Sequence, residues 1–289
     1  MRGLELLDSG AVAVLLDDDG QVKKRFAVTN ADLGAAAAAA LERVDGSSSP
    51  LGVAVFNPEA AAVTSALKSL DRRADAKKRQ IVSSGIAAAV AEAWTGAGRG
   101  INDVVYFGVG EHAVAGVLRD GVPVTGAHGR AASSAWLALN PVEREDYRKT
   151  GCLEAEVAAS GIVRRLIWRI KAGDRSRVQE MAGGDLAAVS LAHILSGARA
   201  GDGVAVSVIR DTAKYLGMAA ANLVVIADPE MLVLGGIMAS DADLLLEPVR
   251  SEIARRLPPP MMQTLMIATA KAGADAPAIG AARLAATKR

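Results

Sequence analysis

The sequence predicts a mixed α/β protein built from two related units. Three observations carry this expectation. Apolar runs of strand length alternate with alanine-rich or helically spaced segments along the 289 residues. A three-strand meander turned by an Asp-Gly pair occurs near the start, at Asp19-Gly20, and again in the middle, at Asp120-Gly121; Asp-Gly between apolar runs is a strong hairpin signal. The stretch TGAGRGIND at 95–103 has the highest glycine density of the first half and marks the expected boundary between the units.

The first meander reads LELLDS, AVAVLL and residues 22–28. ADLGAAAAAALERV follows as a helix, capped by Asn30 or Asp32 and dominated by alanine, the best helix former. GSSSP at 46–50 reads as a loop, LGVAVF as a short strand ended by Asn57-Pro58, and residues 59–70 as a helix. The basic run RRADAKKR reads as a solvated face. IVSS is a strand and GIAAAVAEAW a helix. The second meander consists of VVYFGVG, AVAGVL and a third strand at 122–125.

The second half is more helical. Leu153, Val157, Ile162, Leu166 and Ile170 recur at helical period, which predicts one helix over 153–170. Residues 209–226 form a long apolar helix. Residues 231–234 form an apolar strand ending in Gly235-Gly236. A helix over 244–257 is stopped by Pro258-Pro259-Pro260. A strand at 265–268 and a helix at 276–286 complete the chain.

Composition narrows the class. Apolar residues make up 51% of the chain and aromatic ones 3%, so the cores must be built from Ala, Val, Leu and Ile. A net charge of +1 supplies no general field for nucleic acid or an anionic membrane. The single Cys152 can form neither an internal disulfide nor a cysteine-rich zinc site, and it fits a reducing compartment. Asp8 interrupts the apolar opening where a secretory signal would continue, and no window reaches the ~20 apolar residues of a membrane span. A cytoplasmic protein with no membrane partner is expected.

Three stretches resemble the ROK family of sugar kinases and repressors. LGMAAANLVVIADPEMLVLGGIM at 216–238 is similar to that family's long helix leading into Asn-Pro-Glu, an apolar strand and a Gly-Gly turn, with Asp228 in place of the Asn. GCLEAEVAAS at 151–160 resembles the segment that opens a helix after the family's zinc-binding stretch, and AIGAARLAA at 278–286 resembles the terminal helix. SGARAGDGVAV at 196–206 also matches. The resemblance covers the chain in order. It implies the two-domain, actin-like (ribonuclease H-like) sugar kinase fold with a central cleft. The expected domains are 1–98 plus 276–289, and 99–275. The family's repressors carry a helix-turn-helix ahead of this fold. This chain starts at the first strand, so no nucleic-acid partner is expected.

The resemblance also tells which residues to inspect. Phosphoryl transfer to a sugar needs a carboxylate base, glycine-rich turns whose amides hold the triphosphate with a metal ion, and polar groups on the sugar. The family's first phosphate turn, Asp-x-Gly-Gly-Thr, matches Glu5, Leu6, Leu7, Asp8 and Ser9, which lack both glycines. The Asn-Asp pair that supplies the catalytic Asp matches Ser83-Ser84, and Ser84 is no general base without an activating partner; Ser83 and Ser84 read as a cap or as lining of the cleft. Glu92 persists further along the same helix. The second phosphate turn matches GEHAVAG at 110–116, where Gly110 and Gly116 survive. Glu111 and His112 could be a new acid–base or metal pair. Adjacent strand residues point to opposite sides, however, so ordinary strand residues are the expectation. His128 and His193 read as loop and helix residues. The sugar and zinc segment matches ASSAW at 132–136, with Ser133 for the Glu and with Trp136 filling the place of the His; with Cys152 alone, no zinc is expected.

Glu154 matches the family's sugar-contacting Glu and is equally readable as a helix N-terminal carboxylate. Gly235 and Gly236 match the turn beside the adenosine and also suit a tight strand-to-helix turn. Sugar-binding candidates are therefore Glu154, Ser83 and Ser133; nucleotide-binding candidates are Gly110, Gly116, Gly235 and Gly236, and no metal ligand is named. The expected protein is a catalytically inactive sugar-kinase homologue, a pseudokinase, that binds a small sugar-like ligand in the cleft and forms a homodimer. An active kinase using ATP and Mg²⁺ with a rearranged site, and a non-enzymatic regulator or scaffold, are the alternatives.

Overall fold

The computed structural model describes residues 1–44, 49–73 and 75–287. Most of the loop expected at 46–50, Ala74 of the basic run and the last two residues of the expected first domain lie outside the described residues. The first unit runs β1 (Arg2–Leu7), β2 (Gly10–Leu16), β3 (Val22–Thr29), α1 (Leu33–Val44), β4 (Leu51–Val55), α2 (Ala61–Leu70), β5 (Arg79–Ser83) and α3 (Ser84–Trp94). The second begins with β6 (Val104–Val109), β7 (Ala113–Arg119) and β8 (Val122–Pro123). It continues through α4 (Glu145–Thr150), α5 (Cys152–Val157), α6 (Ala159–Lys171), α7 (Arg177–Met181), α8 (Leu191–Arg199) and α9 (Gly203–Ala227). It ends with β9 (Met231–Gly236), α10 (Ile237–Ser240), α11 (Ala242–Arg256), α12 (Pro259–Thr264) and β10 (Met266–Thr269), and α13 (Ala276–Thr287) then returns to the first unit.

Each unit holds a five-stranded sheet, and the two sheets have the same plan. The orders are β3-β2-β1-β4-β5 and β8-β7-β6-β9-β10, antiparallel across the meander and parallel beyond it. The repeated meander seen in the sequence is thus a repeated sheet. Side-chain alternation assigns the faces. On β1, Leu4 and Leu6 join the core under α1 and α2, while Gly3 and Glu5 face the other way; on β6, Val105 and Phe107 join the core of the second unit, while Val104 and Tyr106 face inward.

Between the two sheets lie α3 and α13, which cross. A Cβ on Gly280 would stand 1.7 Å from the Ala87 carbonyl oxygen, and one on Gly85 would stand 2.0 Å from that of Ala115 on β7. A Cβ on Gly3 or Gly52 would strike the carbonyl of Ala278 or Ala281. α13 therefore rests on β1 and β4 of the first sheet, and α3 on β7 of the second. Glu92, fully buried on α3, fastens this layer: its carboxylate accepts from the backbone N–H groups of Ala97, Lys271 and Ala272 at 2.7–3.1 Å.

The expected strands and helices are mostly found, with differences in detail. Asp32, rather than Asn30, caps α1, accepting from Gly34 and Ala35. The helix expected over 153–170 is two helices, because Ala158 is extended (φ −66°, ψ 158°); the break frees the Ala159 N–H to donate to the Gly110 carbonyl. The prolines at 258–260 end α11 and also start α12, in agreement with proline's fit to the first helical turn. The third strand of the second meander is only Val122–Pro123. Among the described residues, no helix is long and apolar enough to cross a membrane.

Candidate ligand cleft

The equivalent hairpins of the two units, Asp8-Ser9 between β1 and β2 and Gly110–His112 between β6 and β7, face each other. Their side chains join them. His112 Nδ1 lies 3.1 Å from Glu154 Oε1 at the start of α5, and its Nε2 lies 3.3 Å from Asp8 Oδ2 in the opposite hairpin. Its ring stacks on Phe56, just after β4, at 3.8 Å between centroids and 4° between planes. The Ser9 N–H donates to Glu111 at 3.4 Å, and Arg130, in the loop after β8, pairs with Glu59 after β4. Glu154 completes its bonding by accepting from the Ala113 N–H at 3.0 Å. Burial disfavours a charged imidazole. Glu154, through its hydrogen bond and its charge, and Asp8 outweigh that effect and raise the His112 pKa above 6.5.

Deeper in, Glu5 is 6% exposed, and its carboxyl group is hydrogen-bonded to Ser84 at the start of α3. Burial pushes its pKa from 4.5 up to about 8; the Ser84 bond works against this, and the nearby charges of Asp275 and Glu111 work with it. Glu5 is therefore mostly protonated at neutral pH. Tyr106 lies in the same inner layer, its phenol pKa raised by burial and then by the charges of Glu92 and Glu5.

The sequence profile of the ROK family matches residues 63–288. The chain belongs to the ROK family. It is 29% identical over 195 residues to a glucokinase of Halalkalibacterium halodurans, covering 67% of this chain and 59% of that one. It is 29% identical over 176 residues to a xylose repressor of Caldicellulosiruptor bescii, covering 59% and 42%. The chain spans about three fifths of the length of the two glucokinases it matches. Among solved structures, a ROK family glucokinase from Streptomyces griseus, in complex with glucose and AMPPNP, aligns with a TM-score of 0.84 at 22% identity over 98% of both chains. A ROK hexokinase from Thermus thermophilus aligns with a TM-score of 0.73 at 23% identity over 98% of this chain and 97% of that one. These likenesses establish the fold: two actin-like domains with a cleft between them.

Against the ROK pattern, the named residues separate. Ser84 contacts Glu5, and Glu154 contacts His112. Ser83 caps α3, accepting from the Ile86 N–H at 3.3 Å. Ser133 is exposed and donates to the Arg130 carbonyl, whereas its buried neighbour Ser134 donates to the Ala113 carbonyl at 3.0 Å. Gly110 has open space at its Cβ position. Gly116 is needed because a Cβ would meet the Gly85 carbonyl at 2.2 Å, and Gly235 because a Cβ would meet the Tyr106 hydroxyl at 2.2 Å. Gly236 has φ +60° and caps α10, where only glycine is comfortable. Trp136 is 56% exposed, at the end of the short turn Ser134–Trp136. His128 lies in an exposed turn, and His193 belongs to the capping box of α8. Glu111 and His112 form a turn, not a strand, so alternation does not apply to them and both reach the opposite hairpin.

The segment matching the ROK zinc stretch is held by a different device. Arg144 pairs with Asp146 at 2.6 Å and Glu156 at 2.9 Å, and it lies over the rings of Tyr147 and Trp168. Tyr147 donates to Glu156 at 2.5 Å. Cys152 packs with Tyr147 and Ala155, and among the described residues no group of three His, Cys, Asp or Glu side chains is arranged to hold a metal. These donors do not fit a structural zinc. In the turns that match the ROK phosphate turns, His112 pairs with Asp8 and Glu154, and Glu111 accepts from the Ser9 N–H.

The sequence reading missed the Asp8–His112–Glu154 bridge. The signal was available in the repeat itself. Two units of one plan, facing each other, bring equivalent turns together, and here those turns carry Asp8-Ser9 and Glu111-His112.

Proposed function

We propose that this chain is a ROK protein without phosphoryl-transfer activity that keeps a cleft site for a small sugar-like ligand at Glu154. The observation that carries the reading is the imidazole of His112 between Asp8 and Glu154, in the turn that ROK kinases use for phosphate. Two further features support it. Ser84 stands where the base would be, and its partner Glu5 is a protonated acid at neutral pH, unable to accept a proton. Losing a positioned base alone costs ~10²–10⁴-fold in rate. The reading needs neither Mg²⁺·ATP nor zinc.

A coupled ADP-release assay tests it. With Mg²⁺·ATP and glucose, N-acetylglucosamine, N-acetylmannosamine, fructose or allose, no turnover above background is expected. Ser84→Asp should not restore it, because both phosphate turns remain altered. Turnover of ~1–100 per second on any of these sugars, abolished by Glu154→Ala, would establish an active kinase with a rebuilt site.

A further inference from the structure

We propose that His112 is an autoinhibitory latch, whose imidazole bridges Asp8 of the first unit to Glu154 of the second and holds the cleft shut over the ligand site. The inference deepens the reading above and rests on it for the role of Glu154. Its own support is geometric. One side chain reaches both walls, with Nε2 on Asp8 and Nδ1 on Glu154. Only an imidazolium donates through both ring nitrogens, so the bridge is complete only when the ring is charged. Phe56, also from the first unit, covers one face of that ring, and an aromatic face favours a cation there. A ligand using Glu154 must first take its Oε1 from His112.

The two other polar contacts beside the bridge are weaker. The Arg130–Glu59 pair is about two-thirds exposed on both sides, and such pairs contribute little. The Ser9–Glu111 bond is long, at 3.4 Å.

The groups facing His112 fix the pH sense. Asp8 comes from the β1–β2 turn and Glu154 from α5; Phe56 brings no charge, and Glu111 is its neighbour in the turn. A histidine held above its ordinary pKa contributes its bridge fully below about pH 6.5 and loses it as pH rises through the raised value. The latch is closed below about pH 6.5 and is released as pH rises through the raised value.

Amide hydrogen exchange on the whole chain tests the latch without needing a ligand. The reporters are the N–H groups of Ser9 and Ala113, which bond to Glu111 and Glu154; Val105 and Phe107 in β6 are the internal reference. After correction for intrinsic rates, His112→Ala should speed exchange at Ser9 and Ala113 at least tenfold and leave the reference unchanged. Asp8→Asn should give a smaller effect, and Arg130→Ala almost none. Raising the pH of the unaltered protein should move its hairpins toward the His112→Ala behaviour. Unchanged hairpin exchange in His112→Ala, or acceleration equal to that of β6, overturns the proposal.

D-glucose titrations separate the two readings. A latch that keeps the open form at a tenth of the population weakens apparent affinity tenfold, so His112→Ala should bind glucose about tenfold tighter. Hairpin release with no glucose binding to either protein upholds the latch and removes the ligand reading. Equal glucose affinity in both proteins, with unchanged hairpins, removes the latch and leaves the ligand reading standing.

Discussion

Gly280→Ala is expected to be the most damaging single methyl in the protein. Its Cβ would stand 1.7 Å from the Ala87 carbonyl oxygen, where α13 crosses α3. The obstacle is backbone on backbone, so no rotamer change relieves it. Either helix can retreat only by pressing on a sheet at Gly3, Gly52, Gly85 or Gly116, where the same kind of contact is already made. Overpacking a core typically costs ~1–3 kcal/mol, and more where backbone must move; domains have only ~5–15 kcal/mol in all. Gly280→Ala should therefore either fail to accumulate as folded protein or lose a large part of its stability in urea. Gly110→Ala is the control: its Cβ position is open, and its stability should change little. If the two variants unfold at the same urea concentration, the close crossing of α3 and α13 is wrong.

Glu5→Gln is expected to stabilise the protein at alkaline pH. In the folded state, Glu5 keeps its proton up to about pH 8; in the unfolded chain it loses it near 4.5. Between these values the folded state binds the extra proton, so stability falls as pH rises through that window. Each pH unit of separation is worth about 1.4 kcal/mol, so the loss reaches several kcal/mol by pH 8. Gln keeps the size of the side chain and its capacity to bond Ser84 but has no proton to lose. Urea unfolding at pH 6 and pH 8.5 should show a steep decline for the native sequence and a shallower one for Glu5→Gln, with the variant the more stable at pH 8.5. His112 contributes a decline of the same sign, which the variant retains. Parallel declines in the two proteins would show that Glu5 is ionised in the fold.

The two sheets were legible because their signals are local. Alternating apolar residues and Asp19-Gly20 or Asp120-Gly121 define each hairpin within a few residues, and the repetition of that pattern gave the two units. The break at Ala158 was not legible. Leu153, Val157 and Ile162 keep a helical spacing, and what interrupts it is a bond from Ala159 to Gly110, 49 positions away. The shortness of β8 did have a local mark in Pro123, which has no N–H to offer the ladder. Of the candidate site, Ser84 at the position that matches the family's Asp, and the missing glycines of the matching turns, could be read directly. The partnership of Ser84 with Glu5, and of His112 with Asp8 and Glu154, could not, because each joins residues from different elements and depends on how the two units face. Gly116, Gly235 and Gly236 are named for their match to the family turns; their close packing on Gly85, Tyr106 and Val109 is a second reason for glycine that only the structure shows.

We propose that the turns of this chain that match the ROK phosphate turns do not receive a triphosphate. Calorimetric titration with the Mg²⁺ complex of AMPPNP at pH 7 measures this without requiring turnover or a known sugar. The account predicts no saturable heat up to about 1 mM nucleotide, the upper end of ordinary substrate affinities. A micromolar dissociation constant, with the bound nucleotide displaced by ATP, would contradict it.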